Sequence, residues 1–169
     1  MTPGDKSIYI ALGANLPTPR YGSPRSSLEA ALIMLENSGI LVAESSSWYA
    51  TAPVPKSEQP DFVNGVVRVV TTLDPTSLLL LLHRIEDDFG RVRMNRNEAR
   101  VLDLDLIDYD GRVESAEGGP ILPHPRVHER AFVLVPLHEI APGWRHPVTG
   151  VGIDALIRDL PDANDVKRL

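Results

Sequence analysis

The chain has no cysteine. That single absence excludes disulfides, thiolate metal ligands and a cysteine nucleophile together. Long apolar runs are missing too: stretches such as Leu78–Leu82 fall far short of the roughly 20 residues that span a bilayer. The leading segment Met1-Thr-Pro-Gly-Asp-Lys-Ser7 lacks the apolar centre of a secretory signal, so a cytoplasmic location is expected. Positive charge is in deficit, with 17 Lys and Arg against 23 Asp and Glu and a net charge of −6. That balance disfavours bulk attraction to nucleic acid or acidic membranes, and neither is expected as a partner. The sequence contains no G-x-x-x-x-G-K-[ST] loop and no protein-kinase glycine loop. Any nucleotide phosphates would therefore be held by side chains.

What is present is the material of one ordinary domain. The chain has 169 residues, 43% hydrophobic and 24% charged, the balance of a globular protein. A domain of this size buries roughly 70% of its unfolded surface and needs no covalent staples. No repeat, low-complexity tract or linker interrupts it, so residues 1–169 are expected to form a single domain.

Ser7–Leu12 reads as a short buried strand, broken by Gly13-Ala-Asn-Leu-Pro-Thr-Pro19. Ser23-Pro24 is an N-cap and first-turn pair, and Leu28, Ala31, Leu32 and Leu35 follow at helical spacing until Gly39. Ile40–Tyr49 reads as a second strand and the valine-rich Asp61–Leu73 as a third. Asp74-Pro75 starts a second helix that runs to Gly90. Val101–Tyr109 is a fourth strand, turned by Asp110-Gly111. The order β-α-β-β-α-β predicts an α+β fold of the ferredoxin-like type. Additional C-terminal helices are expected from about His128 to Glu139 and near Ile153–Leu160.

The most informative stretch is Leu102-Asp103-Leu104-Asp105-Leu106. Strand side chains alternate, so the two acids share one face and the three leucines take the other. Like charges so placed repel, and a hard cation with oxygen preference resolves the repulsion; Mg²⁺ held by one or two carboxylates plus phosphates is the usual arrangement. A merely solvated acidic edge is the competing reading. Arg91, Arg93, Arg96 and Arg100 lie just upstream in an otherwise acidic protein. Guanidinium forks suit phosphate oxygens, although pairing with Asp87, Asp88 and Glu98 is the alternative use for them. Phe62 and Asn64 project from one face of strand three, as a stacking ring beside an amide or as a core aromatic beside a strand-end asparagine. His124 lies between two prolines, where it could donate to phosphate. His83 and Glu86 face the same way on the second helix.

Taken in order, these stretches are similar to a known family. The chain resembles the 6-hydroxymethyl-7,8-dihydropterin pyrophosphokinases from about Ile8 to Pro142. The match rests on Ala11-Leu-Gly-Ala-Asn-Leu16, Gln59-Pro-Asp-Phe-Val-Asn64, Arg84-Ile-Glu86 with Gly90-Arg-Val-Arg93, and Arg100-Val-Leu-Asp-Leu-Asp-Leu106. Leu122-Pro-His-Pro-Arg126 and Arg130-Ala-Phe-Val-Leu134 complete it. The resemblance implies transfer of a diphosphate from Mg-ATP to the pterin alcohol in folate biosynthesis, with AMP released. Asp103 and Asp105 would hold two Mg²⁺ ions on the ATP phosphates, with Arg91 and Arg100 assisting transfer. Arg93, Arg100, His124 and Arg130 match nucleotide-contacting positions, and His83 and Glu86 lie where the family places adenosine. The pterin would stack between Phe62 and Phe132, with Asn64, Thr51, Ala52 and Val54 reading its edge. ATP and the pterin are the expected partners of a monomer. Asn97 and Glu98 depart from the family's usual Trp and Gly or Ala, the segment from Gly90 to Arg100 is one residue shorter, and the Leu16–Pro24 loop is longer.

Two other classes share parts of this pattern. The β-α-β-β-α-β order is also that of RNA-recognition motifs, but those require several stacking aromatics where strand three offers only Phe62. A metal-dependent nuclease could use Asp103 and Asp105 with Glu86, but it would need a basic track that a charge of −6 does not favour.

Overall fold

The computed structural model describes residues 6–53, 57–90, 100–115 and 117–169. In chain order the first half comprises β1 (Ile8–Ala14), α1 (Pro24–Asn37), β2 (Leu41–Ser45), β3 (Tyr49–Thr51), β4 (Phe62–Val70) and α2 (Pro75–Asp88). The second half comprises β5 (Asp103–Tyr109), β6 (Glu114–Ser115), β7 (Ile121–Leu122), α3 (Ala131–Ile140), α4 (Ile153–Arg158) and β8 (Lys167–Arg168).

β1 is buried along its whole length, as suits an apolar central strand. It pairs antiparallel with β4 on one side and β5 on the other. The sheet order is β5-β1-β4-β3-β8, with β2 also on β4. This is the expected ferredoxin-like arrangement, in which the β-α-β units interleave. Both main helices start as their sequences predict. Ser23 accepts the Ser26 amide at 3.2 Å and Asp74 accepts the Ser77 amide at 2.7 Å, each followed by a first-turn proline. Gly39 and Gly90 close them with positive φ.

The sheet has an apolar layer on each face. Leu28, Leu35, Leu78, Leu82 and Ile85 of α1 and α2 pack on Ile8, Ile10, Leu12, Leu104 and Leu106. On the other face, Val133, Leu134 and Leu137 of α3, with Trp144 and Ile153, cover Tyr9, Ala11, Val66 and Ile107. A register shift between Tyr9 and Ile10 makes Ile107 an extra residue in β5. Such a bulge turns the strand. Asp108 thereby joins the α3 side, buried, where it accepts from Trp144 Nε1 at 2.8 Å and from the Gly111 amide at 2.9 Å.

Several expected boundaries move. Ile40–Tyr49 is not one strand: it breaks at Ser46-Ser47-Trp48 into β2 and β3. The cause is a long-range fit, because the Trp48 ring fills the space above Gly65. The ladder is patched there by Ser46, whose amide donates to the Val66 carbonyl and whose Oγ accepts the Val66 amide, both at 2.9 Å. The third strand ends at Val70 rather than Leu73, leaving a turn before the Asp74 cap. The helix expected from His128 begins at Ala131, since Arg130 is extended (φ −108°, ψ 92°) after a 3-10 turn at Val127–Glu129. α4 stops at Arg158, and the short strands β6, β7 and β8 were not expected. Among the described residues no helix is long and apolar enough to cross a membrane.

A Cβ at Gly65 would lie 2.6 Å from the Trp48 ring. Gly65→Ala should therefore displace that ring and destabilise the protein by about 1–3 kcal/mol, read from urea unfolding. An unchanged midpoint would mean that Trp48 does not set the break.

Candidate active site

The site is built on the register of β1. Gly13 stands opposite Asn64 of β4 and opposite Asp103 of β5, and Asn64 stands opposite Tyr49 of β3. One residue pair along, Ala11 lies between Val66 and Asp105. Directly opposed residues share a face. Tyr49, Asn64, Gly13 and Asp103 therefore form one row on the face that carries α3, with Asp105 beside it. Phe62 and Thr51, also opposite each other, extend the same face. Asn64 and Asp103 are two strand spacings apart, about 10 Å.

Asp103 and Asp105 are part-buried while Leu104 and Leu106 are buried in the opposite core, as alternation predicts. Each acid meets a guanidinium. Arg100 Nη1 donates to Asp103 Oδ2 at 2.9 Å, and Arg130 Nη1 donates to Asp105 Oδ2 at 3.3 Å. Among the described residues no group of three or more His, Cys, Asp or Glu could hold a metal ion. Two carboxylates with cationic neighbours fit a hard divalent ion that arrives with a polyphosphate's oxygens, rather than an ion caged by protein alone. Glu86 lies elsewhere, fully buried on α2, where its Oε2 accepts the Leu104 amide at 2.9 Å. It thus holds the residue between the two acids. His83 is half-buried one turn earlier on the same helix.

His124 approaches β5 from the segment after β7, its amide donating to the Ile107 carbonyl at 2.9 Å. Its Nδ1 accepts the Arg126 amide at 3.1 Å, which leaves the proton of the neutral ring on Nε2. Burial, with repulsion from Arg130 and Arg126 partly offset by Asp103, lowers the imidazole pKa to about 4. His124 is therefore a neutral N–H donor beside the acids. Arg130 also lies over the Phe132 ring, 5.6 Å from its centroid, so one guanidinium links the acid side to the aromatic side.

Asn64 is 5% exposed, and its amide is held by a bond to β3. Its Nδ2 donates to Thr51 Oγ1 at 2.8 Å, and its Oδ1 lies where a Cβ on Gly13 would come within 2.9 Å. Gly13 is thus glycine because the row leaves no room for a side chain. Phe62 is half-buried and Ala52 exposed. Val54, Arg91, Arg93, Arg96, Asn97 and Glu98 lie outside the described residues.

Sequence reasoning missed Asn15, which is completely buried. Its Oδ1 accepts the Arg100 amide at 2.8 Å, and its own amide donates to the Arg100 carbonyl at 2.9 Å. Its Nδ2 reaches Gln59 Oε1 at 3.2 Å and the Pro60 carbonyl at 3.1 Å. One side chain therefore ties the entry of β5 to the entry of β4. The available signal was a polar residue directly after an apolar strand, a position that sequence alone reads as a turn. The long Leu16–Pro24 loop folds as a tight turn closed by mutual Thr18–Gly22 backbone bonds of 2.9 Å, and Tyr21 stacks on Phe89 at 4.2 Å.

The sequence model described as 7,8-dihydro-6-hydroxymethylpterin-pyrophosphokinase matches residues 9–142. A 2-amino-4-hydroxy-6-hydroxymethyldihydropteridine pyrophosphokinase of Haemophilus influenzae is 39% identical over 162 residues, 95% of this chain and 97% of that protein. The like-named protein of Synechocystis is 40% identical over 152 residues, 89% of this chain and 74% of that protein. The folic acid synthesis protein fol1 of Pneumocystis carinii is 37% identical, and this chain spans only 21% of its length. In fold, the chain is similar to the Plasmodium falciparum HPPK-DHPS triple mutant, with a TM-score of 0.65 at 16% identity over 89% of this chain and 41% of that one.

The state of His124 gives a pH signature. Its folded pKa of about 4 lies below the unfolded value of about 6.5. The neutral ring therefore contributes stability that is complete above about pH 6.5 and is lost as pH falls towards 4. NMR titration of the ligand-free protein should show the His124 ring still neutral at pH 5.5. A midpoint near 6.5 would contradict the assignment.

Proposed function

The chain belongs to the 7,8-dihydro-6-hydroxymethylpterin-pyrophosphokinase family, and from that membership we infer that it is a pyrophosphokinase of folate biosynthesis, moving a diphosphate from Mg-ATP to 6-hydroxymethyl-7,8-dihydropterin with release of AMP. The observation that carries this reading is the shared face of Asp103, Asp105 and Asn64, with Gly13 as the bare floor between them.

We assign the ATP phosphates to the β5 side. Asp103 and Asp105 are the carboxylates that would hold Mg²⁺, as two ions in the full reading; bound there, the metal supplies positive charge to the phosphate oxygens. Arg100 and Arg130 already stand beside those acids and would turn to the same oxygens, together with Arg91 and Arg93. His124 donates from neutral Nε2. His83 is assigned to the adenosine side, and Glu86 contributes by holding Leu104 between the acids. The pterin ring is assigned to the β4 side, stacked between Phe62 and Phe132. Asn64, Thr51, Ala52 and Val54 read its edge.

With the phosphates assigned to β5 and the pterin ring to β4, the substrate hydroxymethyl group is assigned towards β5. Its oxygen attacks the β-phosphorus in line, and AMP leaves with the bridging oxygen's electron pair. The hydroxyl proton passes to a base, for which Asp103 is the nearest candidate in the row. Oriented cations around the transferred group supply most of the acceleration.

Incubation with Mg-ATP should yield AMP only when the pterin alcohol is present. Asp103→Ala and Asp105→Ala should each lower turnover by at least about 100-fold with an unchanged circular dichroism spectrum. ADP as the product, AMP without pterin, or near-normal turnover in either variant would contradict this reading.

A further inference from the structure

Glu139 lies at the far end of α3 from Arg130, and both of its carboxylate oxygens are engaged at short range. Oε1 accepts the Tyr49 hydroxyl at 2.6 Å, and Oε2 accepts the Ser47 amide at 2.7 Å. These are lengths of charge-assisted hydrogen bonds. Burial, and then the bond to Glu139, push the Tyr49 phenol up to about 12, so it stays a donor throughout the working pH range. The two partners mark the break between β2 and β3, where Trp48 leaves the strand to cover Gly65. From that break β3 runs for three residues, with a two-residue strand as its outer neighbour. So short a strand has little ladder of its own to fix its position.

What β3 carries matters to the site. Thr51 holds the Asn64 amide at 2.8 Å, and Tyr49 stands opposite Asn64 in the row that includes Gly13 and Asp103. α3 also carries Phe132, the ring assigned to the other side of the pterin. A helix of ten residues is about 15 Å long. From β5 to β3 is three strand spacings, about 14 Å. α3 is therefore a strap across the sheet, tied to β5 by Arg130–Asp105 and to the head of β3 by Glu139.

We propose that Glu139 is a positioning residue for the pterin side of the site: by holding Ser47 and Tyr49 it sets β3, and through Thr51 the Asn64 amide, at a fixed distance from Phe132 on the same helix. This rests on the pyrophosphokinase reading and goes beyond it by placing control of pterin affinity in a residue that does not touch the ligand. A residue serving stability alone would lower the melting temperature of its variants without separating the two substrates.

The test measures affinity of the folded protein for a non-hydrolysable ATP analogue and, with that analogue present, for the pterin alcohol. Tyr49→Phe removes one bond, and Glu139→Gln keeps the shape with only one acceptor oxygen. Each should weaken pterin binding by about threefold to tenfold, and Glu139→Ala by more than about tenfold. Affinity for the ATP analogue should stay within about twofold in all three. Adding Tyr49→Phe to Glu139→Ala should cost nothing further in pterin affinity, because the bond is already gone. Pterin affinity within about twofold of wild type in Tyr49→Phe and Glu139→Ala would overturn the proposal, as would equal weakening of both ligands. A wild-type protein that binds the ATP analogue but no pterin alcohol would instead overturn the functional reading beneath it.

Discussion

The double register at Gly13 is the constraint on which the site depends. Because β1 is central, one of its residues has a neighbour on each side, and here those neighbours are Asn64 and Asp103. The ladder therefore fixes the distance between an amide that can read a heterocycle and a carboxylate that can hold a metal. No loop has to supply it. The missing side chain at Gly13 keeps the space between them free, and its Cβ would meet Asn64 Oδ1 at 2.9 Å. Asn15 extends the same logic past the end of the strand. Its side chain continues the β1–β5 pairing to Arg100 and reaches Gln59 and Pro60 ahead of β4. The two halves of the floor thus enter the sheet through one buried polar residue, and an unpaired amide in that position would carry a large desolvation cost.

Two acids on a strand face need compensation, and it comes from outside the strand. Arg100 and Arg130 neutralise Asp103 and Asp105 from opposite directions in sequence. The outer edge of β5 is covered by other means. Glu86 takes the Leu104 amide and the His124 amide takes the Ile107 carbonyl, which leaves these edge groups paired. The histidine so held is neutral, its pKa lowered to about 4 chiefly by burial and then by Arg130. It can therefore donate to an anion without adding to the repulsion between cations in the ligand-free site. Arg100 and Arg130 thus bring two cations to the acidic face of β5 in a protein whose net charge is −6.

Features set by local chemistry were legible in the sequence. Alternation alone put Asp103 and Asp105 on one face, because the strand period is two. The cap-and-proline pairs at Ser23-Pro24 and Asp74-Pro75 located both main helices. Features set by distant partners were not legible. The break at Ser46–Trp48 requires Gly65 to be opposite, the turning of Asp108 towards Trp144 requires the bulge at Ile107, and the roles of Asn15 and Glu139 require strands that are far away in sequence. The bond from the Leu104 amide to Glu86 was likewise not legible, since the helical spacing of His83 and Glu86 does not reveal that partner. Helical spacing reports which way a side chain leaves the helix, not what it meets.

The central claim is that one sheet face, laid out by the Gly13 register, binds metal-nucleotide at β5 and pterin at β4. A crystal structure with Mn²⁺, a non-hydrolysable ATP analogue and the pterin alcohol tests it most directly. The account predicts anomalous peaks within coordination distance of the Asp103 and Asp105 carboxylates, with the pterin ring between Phe62 and Phe132 and its edge on Asn64. Metal peaks away from both carboxylates, or a pterin bound elsewhere than on the Asn64 side of the row, would contradict it.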